Sequence, residues 1–266
     1  MTQGEASGPV RVAWHGEHVA EVVLDRPEAL NAVSTELARA LTAALDGLSG
    51  SPELRAVVIS SSQDRAFCVG ADLKERNELS DAGLLAQRPV ARAAYRAVLE
   101  LEVPALAAVA GYALGGGFEI ALGCDLIVAD GTAVLGLPEV SVGVIPGGGG
   151  TQLLTRRVGW SRAADLVFTA RRVGAEEALR LGLVDRLVPE GQARSAALDL
   201  AGTIAANSPV GLRNAKRAMR LGMDADLAAG LEVEDAAWRA TAFSPDRAEG
   251  VRAFVERRPP RWPGAG

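Results

Sequence analysis

Two glutamates in glycine-rich surroundings are the side chains best suited to chemistry. Glu119 follows three consecutive glycines in the segment GYALGGGFEIALGCD, and Glu139 lies in the segment GLPEVSVGVIPGGGG. The chain has only two histidines, His15 and His18. Acid–base chemistry near neutral pH therefore falls to carboxylates whose pKa values are shifted by their surroundings.

The triple glycine, Gly115 to Gly117, is suited to binding an anionic oxygen. Glycine lets a ligand approach the main chain, and the first N–H groups of a helix have no partner within the helix and lie at its positive end. The turn is therefore a candidate oxyanion site. Each feature also has a structural explanation: a tight turn, a Glu119 that complements the helix dipole and a solvated Glu139 would give the same residues.

Other kinds of site are disfavoured by the motifs. The glycine segments lack both the GxGxxG spacing of dinucleotide sites and the Gly-Lys-Ser/Thr of phosphate loops. The segment EVSVG around Ser141 lacks the first glycine of a nucleophile elbow. Cys68 and Cys124 are too few and too far apart for a thiolate metal site, so we expect two buried apolar residues and no metal.

The composition indicates a globular chain with a substantial core. The chain has 266 residues, of which 48% are hydrophobic, and its formal net charge of -5 disfavours nonspecific binding to nucleic acid. The N-terminal segment has no basic end followed by an apolar run, and no segment has the length and hydrophobicity of a membrane span. We therefore expect a cytoplasmic protein without membrane attachment.

Strand-like and helix-like segments alternate along the first two thirds of the chain. The segments VAEVVL, AVVIS, ALAAVA and DLIVAD are typical of buried strands. Between them, Ser34 is placed to cap a helix, AYRAVLELEVP is predicted to be helical up to about Pro104, and GGGFEIALG begins a helix. The alternation predicts an α/β fold with parallel strand pairing.

The last part of the chain is predicted to be helical. Apolar residues recur at helical spacing in LRNAKRAMRLGM and LAAGLEVEDAAWRATAF, but these segments have little core of their own to cover. We therefore divide the chain into an α/β core with the active site at residues 1–205 and a helical region at residues 206–266. This region is expected to pack on the core or on another subunit.

Four segments, taken together and in order, resemble the enoyl-CoA hydratase/isomerase (crotonase) superfamily, and enoyl-CoA hydratases most of all. They are RAFCVGADLKE, PALAAVAGYALGGGFEIALGCDLIVAD, GLPEVSVGVIPGGGGTQLLTRRVG and AEEALRLGLVDRLVP. The later segment FSPDRAEGVRAFVERR resembles the C-terminal helix of the family. The resemblance implies a crotonase (ClpP-like) fold of repeated β-β-α units, followed by a helical region that forms trimers or dimers of trimers.

The resemblance also implies roles for individual residues. The N–H groups of Ala71 and Gly116 would hold a thioester carbonyl, and Glu119 and Glu139 would bind one water between them. Many isomerases and other relatives lack one of these glutamates, which favours hydration here. Coenzyme A would enter as part of the substrate, without a tightly bound cofactor, and would contact Ala71, Asp72, Leu73, Lys74, Gly116 and, from a neighbouring subunit, Arg257.

The implied activity is addition of water to a 2-enoyl-CoA thioester to give 3-hydroxyacyl-CoA, in fatty-acid or branched-chain acyl catabolism. The alternatives within the family are an isomerase, a dehalogenase or a thioester hydrolase. A noncatalytic or RNA-binding relative is a further alternative because of the basic segment QRPVARAAYR. Lys74 and Arg257 are also compatible with ordinary solvated surface charges, and Arg258 competes with Arg257 for the coenzyme role.

Overall fold

A computed structural model describes residues 8–264 and has an α/β architecture with two sheets. In these residues the chain forms ten strands, which are β1 (Val10–His15), β2 (Val19–Leu24), β3 (Ala56–Ser61), β4 (Ala66–Cys68), β5 (Ala105–Val109), β6 (Tyr112–Leu114), β7 (Leu126–Asp130), β8 (Val134–Gly136), β9 (Val173–Gly174) and β10 (Arg186–Val188). The large sheet has the order β1-β2-β3-β5-β7-β10, and the small sheet has the order β4-β6-β8-β9.

The same residues form eleven α-helices. They are α1 (Thr35–Leu48), α2 (Leu73–Glu78), α3 (Asp81–Leu99), α4 (Gly116–Gly123), α5 (Gly150–Val158), α6 (Trp160–Thr169), α7 (Ala175–Leu181), α8 (Ala193–Ala205), α9 (Pro209–Gly222), α10 (Leu227–Ala242) and α11 (Pro245–Glu256). Two short 3-10 helices span Pro27–Ala29 and Glu139–Val142. None of the helices in the described residues combines the length and the apolar character needed to cross a membrane.

The predicted crotonase fold of repeated β-β-α units is confirmed. Three successive units, which begin at β3, β5 and β7, each place their first strand in the large sheet and their second strand in the small sheet. Strands β2, β3, β5, β7 and β10 of the large sheet pair in parallel, and β1 pairs antiparallel with β2 as a hairpin. The second strands of the three units, β4, β6 and β8, pair in parallel. The helices that follow these strands therefore begin at the same end of the small sheet.

The inner strands of the large sheet, β2, β3, β5 and β7, are buried on both faces, which explains their largely apolar sequences. On β3, Val57 and Ile59 face one core, which includes α1 and α4. Val58 on the same strand faces a second core, which is closed by Ala197 and Ala201 of α8. A strand that is covered by helices on both sides has no polar face, so its sequence does not alternate.

Several helix boundaries follow local signals in the sequence. The Ser34 hydroxyl accepts a hydrogen bond from the Leu37 N–H and caps α1, as predicted. Gly182 ends α7 in the left-handed region with φ 81°. The helix predicted to run to about Pro104 ends earlier, at Leu99, because the chain turns there so that Leu101 and Val103 enter the core.

Helices α9 to α11 cover less of their apolar surface than the rest of the chain. No residue of α10 is buried, and Trp238 on this helix is 63% exposed. Phe243 and Phe254 are also largely exposed, and a cavity of about 640 Å³ opens beside α10 and α11. The division at residue 205 and the trimerisation role of residues 206–266 remain predictions.

Candidate active site

The candidate site is built around the turn between β6 and α4. Gly115 has φ 52° and ψ -127°, a conformation that L side chains rarely adopt, and its N–H donates to the Gly136 carbonyl of β8 at 2.9 Å. A Cβ atom at Gly115 would lie 2.9 Å from the Glu139 Oε1 atom. A Cβ atom at Gly117 would collide with the Cys68 carbonyl. The triple glycine therefore allows a close approach of strand, helix and carboxylate.

The predicted oxyanion donors lie on adjacent segments. Gly70, with φ 92°, packs so closely on the turn that a Cβ atom there would lie 3.1 Å from the Gly116 nitrogen. Ala71 follows directly and forms an isolated parallel bridge with Val33, in which Gly70 accepts and Asp72 donates the hydrogen bonds. No acceptor for the Ala71 or Gly116 N–H is found within residues 8–264. Both N–H groups are thus free to bind an oxygen.

Glu119 is held by the backbone of the neighbouring glycine loop. Its side chain is buried, and Oε1 accepts hydrogen bonds from the Gly148 and Gly150 N–H groups, both at 2.7 Å. Gly150 begins α5, so this carboxylate also lies at the positive end of a helix. Burial raises the pKa of Glu119, and the two backbone hydrogen bonds and the charge of Arg88 oppose that increase.

Glu139 has a less complete set of partners. It begins the 3-10 helix Glu139–Val142 that follows β8, and its Oε2 atom is buried without a hydrogen-bond partner among the described residues. Burial, together with the negative charge of Glu119, raises the pKa of Glu139 to about 7. This carboxyl group can therefore gain or lose a proton near neutral pH.

The structure brings the two glutamates to the same glycine turn. Glu139 lies against Gly115, and Glu119 is on the first turn of the helix that this turn begins. The pKa of Glu139 responds to the charge of Glu119, so the two carboxylates are within electrostatic reach of each other. Two carboxyl groups beside two free N–H groups can move a proton next to a developing oxyanion.

Tyr95 of α3 is part of the site, although no motif singled it out. A Cβ atom at Gly116 would collide with its hydroxyl, and a Cβ atom at Gly148 would lie 2.7 Å from its ring. Burial and the charge of Glu119 raise the pKa of Tyr95, so the hydroxyl stays protonated. The one available signal was a lone tyrosine, three residues before the buried Val98, on the predicted helix.

The loop amides that hold Glu119 were also not identified from the sequence. The run Gly147 to Gly150 lies in the segment GLPEVSVGVIPGGGGTQLLTRRVG, but the sequence alone assigns no role to its N–H groups. Its position directly before a helix was the signal that could have identified it, because successive glycine N–H groups at a helix start readily bind a carboxylate.

The predicted coenzyme segment combines one structural residue with two exposed ones. The Asp72 carboxylate caps α2 by accepting from the Lys74 and Glu75 N–H groups, and it forms an ion pair with Arg26 at 2.6 Å. Leu73 is 57% exposed and Lys74 is also exposed. The Asp72 side chain thus holds the segment in place, and the side chains of Leu73 and Lys74 are available to a ligand.

Arg257 and Arg258 differ in their partners at the end of α11. Arg258 forms ion pairs with Glu249 and Glu256, each at 2.6 Å. Arg257 is exposed, has φ 55° and has no carboxylate partner among the described residues. Of the two arginines, Arg257 is therefore the one that is free to contact a ligand.

The cysteines behave as buried apolar residues, as expected. Cys68 and Cys124 are both unpaired and buried, and burial raises the pKa of each thiol to about 12. Within residues 8–264, no three His, Cys, Asp or Glu side chains form a cluster that would hold a metal ion.

Comparison with known proteins places this site in a family. A family model described as enoyl-CoA hydratase/isomerase matches residues 15–265. The human mitochondrial methylglutaconyl-CoA hydratase is 41% identical over 245 residues, which cover 91% of this chain and 72% of that protein. The crystal structure of an enoyl-CoA hydratase from Bacillus anthracis superposes with a TM-score of 0.94 at 37% identity, covering 97% of this chain and 100% of that one. An enoyl-CoA hydratase from Mycobacterium tuberculosis has a TM-score of 0.86 at 34% identity, with coverages of 97% and 100%.

Proposed function

The chain belongs to the enoyl-CoA hydratase/isomerase family, and on this premise we propose that it adds water across the 2,3 double bond of an enoyl-CoA thioester to give 3-hydroxyacyl-CoA. The observation that carries the proposal is the presence of two glutamates, Glu119 and Glu139, at one glycine turn. Hydration requires one group to take a proton from water and another to supply a proton to Cα. A site with one carboxyl group would suit isomerisation better.

We propose that the N–H groups of Ala71 and Gly116 bind the thioester oxygen. Addition of water to the β-carbon passes through an enolate, which places negative charge on this oxygen. Donors that are already in place stabilise such charge by about 3 to 4 kcal/mol each. The absence of any acceptor for these two N–H groups within residues 8–264 supports this role.

The environments of the glutamates suggest a division of labour. Glu119 is fixed by two backbone N–H groups through Oε1, which leaves its other oxygen to orient and deprotonate water. Glu139, with a pKa of about 7, carries the proton that is delivered to Cα. The pair therefore needs one proton in total, located on Glu139 when the enoyl substrate binds.

The coenzyme is proposed to lie along Ala71 to Lys74, with no other cofactor. Exposed Leu73 and Lys74 are suited to the pantetheine chain and a phosphate respectively. Arg257 of a neighbouring subunit is proposed to contact the coenzyme from the other side. The exposed apolar side chains of α10 and α11 support assembly into a trimer or a dimer of trimers.

The test uses crotonyl-CoA and identifies the product by mass spectrometry. Hydration predicts loss of the enoyl-thioester absorbance and a product heavier by one water. A product of unchanged mass with a moved double bond would indicate an isomerase, and free coenzyme A would indicate a thioester hydrolase. Either of these results would contradict the proposal.

A further inference from the structure

Arg88 places a positive charge beside the loop that holds Glu119. It lies on α3, and its Nη2 atom donates to the Gly147 carbonyl at 2.7 Å. A Cβ atom at Gly147 would lie 3.0 Å from the other terminal nitrogen of the guanidinium. The next residue, Gly148, donates to Glu119. The arginine is thus separated from the catalytic carboxylate by a single glycine loop.

This charge is not neutralised by a carboxylate. Arg88 has no acidic side chain within ion-pair distance among residues 8–264, whereas Arg96 on the same helix pairs with Glu100 at 2.7 Å. Arg76, on α2, also has no carboxylate partner in this part of the chain, and its charge opposes the raised pKa values of Glu119 and Glu139. Two arginines without carboxylate partners therefore place positive charge near a site whose proton-transfer groups are both carboxyl groups.

The geometry of α3 indicates where Arg88 lies relative to the reacting group. Tyr95 and Arg88 are seven residues apart, so they lie two turns apart on the same face of the helix, about 10 Å along its axis. The Tyr95 hydroxyl lies against Gly116, where the thioester oxygen is proposed to bind. The Arg88 guanidinium lies beside Gly147 and the Tyr95 ring lies beside Gly148, so these two side chains of α3 flank successive residues of the glycine loop.

We propose that Arg88 binds a carboxylate at the far end of the substrate's acyl group, so that the preferred substrates are enoyl-CoA thioesters of dicarboxylic acids. This inference rests on the proposed function, because it places the thioester at Ala71 and Gly116. Arginine suits this role because its planar guanidinium can donate two parallel hydrogen bonds to one carboxylate. A coenzyme phosphate is the other anion to consider, but Arg88 contacts the loop at Gly147 rather than the segment Ala71 to Lys74.

Binding of saturated thioesters tests the inference without requiring catalysis. Glutaryl-CoA and butyryl-CoA differ in a distal carboxylate, and neither has a double bond to hydrate. Titration calorimetry of the full-length protein should show that glutaryl-CoA binds about tenfold or more tightly than butyryl-CoA. Arg88→Gln should abolish this preference and change the affinity for butyryl-CoA by less than about twofold. Arg92→Gln, which removes the same charge one turn further along α3, should keep the preference.

Three results would overturn the inference. They are equal affinities of the unmodified protein for the two thioesters, a preference that survives in Arg88→Gln, and an equal loss of both affinities in Arg88→Gln. The last result would assign the guanidinium to a coenzyme phosphate or to loop structure. Melting temperatures of both variants check that the fold is intact. Failure to hydrate crotonyl-CoA and glutaconyl-CoA would instead reject the proposed function, whichever thioester binds more tightly.

Discussion

Glu119 and Glu139 approach the same turn, but the protein holds them in different ways. Glu119 is fully buried and accepts two backbone hydrogen bonds through a single oxygen. Glu139 is half-buried on a 3-10 helix and keeps one oxygen without a partner. Hydrogen bonds from backbone N–H groups fix the position of a carboxylate. A carboxylate oxygen without a hydrogen-bond partner can instead bind and release a proton. The comparison suggests that Glu119 is fixed in place to orient and deprotonate water, whereas Glu139 is suited to delivering its proton to Cα.

The largest effects are expected from removing the proton-transfer capacity of either residue. Glu119→Gln and Glu139→Gln should each lower kcat for crotonyl-CoA by about a hundredfold or more, because an amide neither takes nor delivers the proton. The glutamine oxygen at position 119 can still accept from Gly148 and Gly150, so the fold should be preserved. Steady-state kinetics combined with circular dichroism checks this. Near-normal turnover in one variant would remove that residue from the mechanism.

The pH dependence distinguishes the two glutamates more finely. Activity requires one proton on the pair, so loss of the Glu139 proton, with a pKa of about 7, should remove activity as the pH rises through that value. The value of kcat/KM should then fall about tenfold per pH unit above it. On the acid side, protonation of Glu119 should also lower the rate, because this residue must take a proton from water.

Initial rates of hydration of crotonyl-CoA and of dehydration of 3-hydroxybutyryl-CoA measure this profile. The pH values at which the rate falls should be the same for hydration and dehydration, because both reactions start from a pair of glutamates that carries one proton. A rate that does not change between about pH 6 and 9 would contradict the assignment of the proton to Glu139.

The smallest expected effect is on stability, and it should have opposite consequences at the two sites. Glu119→Ala leaves two loop N–H groups without an acceptor and should lower the free energy of unfolding by about 1–3 kcal/mol. Glu139→Ala removes a carboxyl group with an unpartnered oxygen and a raised pKa, so it should be neutral or stabilising at pH 8. Urea unfolding of both variants tests this comparison. A greater loss of stability in Glu139→Ala would show that the two environments have been assigned the wrong way round.

The sign of the Glu139 effect with pH follows from its shifted pKa. A carboxyl group whose pKa is higher in the folded state than its ordinary value of 4.5 binds its proton more tightly when folded. Its contribution to stability is therefore present at low pH and is lost as the pH rises through about 7. The stability of Glu139→Ala relative to the unmodified protein should accordingly increase between those pH values.

The parts of the fold and site that were predictable carry local signals. The turn before α4, the cap of α1 by Ser34 and the left-handed end of α7 at Gly182 depend on residues within a few positions of one another. The proposed pairing of Glu119 with Glu139 rests on several motifs taken together, because neither residue is distinctive alone. The alternation of apolar strands with helices predicted an α/β fold with parallel pairing, and the repeated β-β-α order was implied by the resemblance to the crotonase superfamily.

The unpredicted parts depend on contacts between residues far apart in sequence. Tyr95 contacts Gly116 and Gly148 only when α3 packs against the glycine turn. No motif in the segment that forms α2 and α3 predicts this packing. The contact of Arg88 with Gly147 joins residues 59 positions apart. Local periodicity describes which face of a helix is apolar, but it does not say which loop the polar side chains will reach.

The most direct test of the central claim, that Glu119 and Glu139 act together on one water, is a double-variant cycle. The rate with crotonyl-CoA would be measured for Glu119→Gln, Glu139→Gln and the combined variant. Groups that act as a unit give strongly non-additive losses, so the combined variant should be only slightly slower than the slower single variant. Multiplicative losses in the combined variant would show that the two carboxylates act independently and would contradict the account.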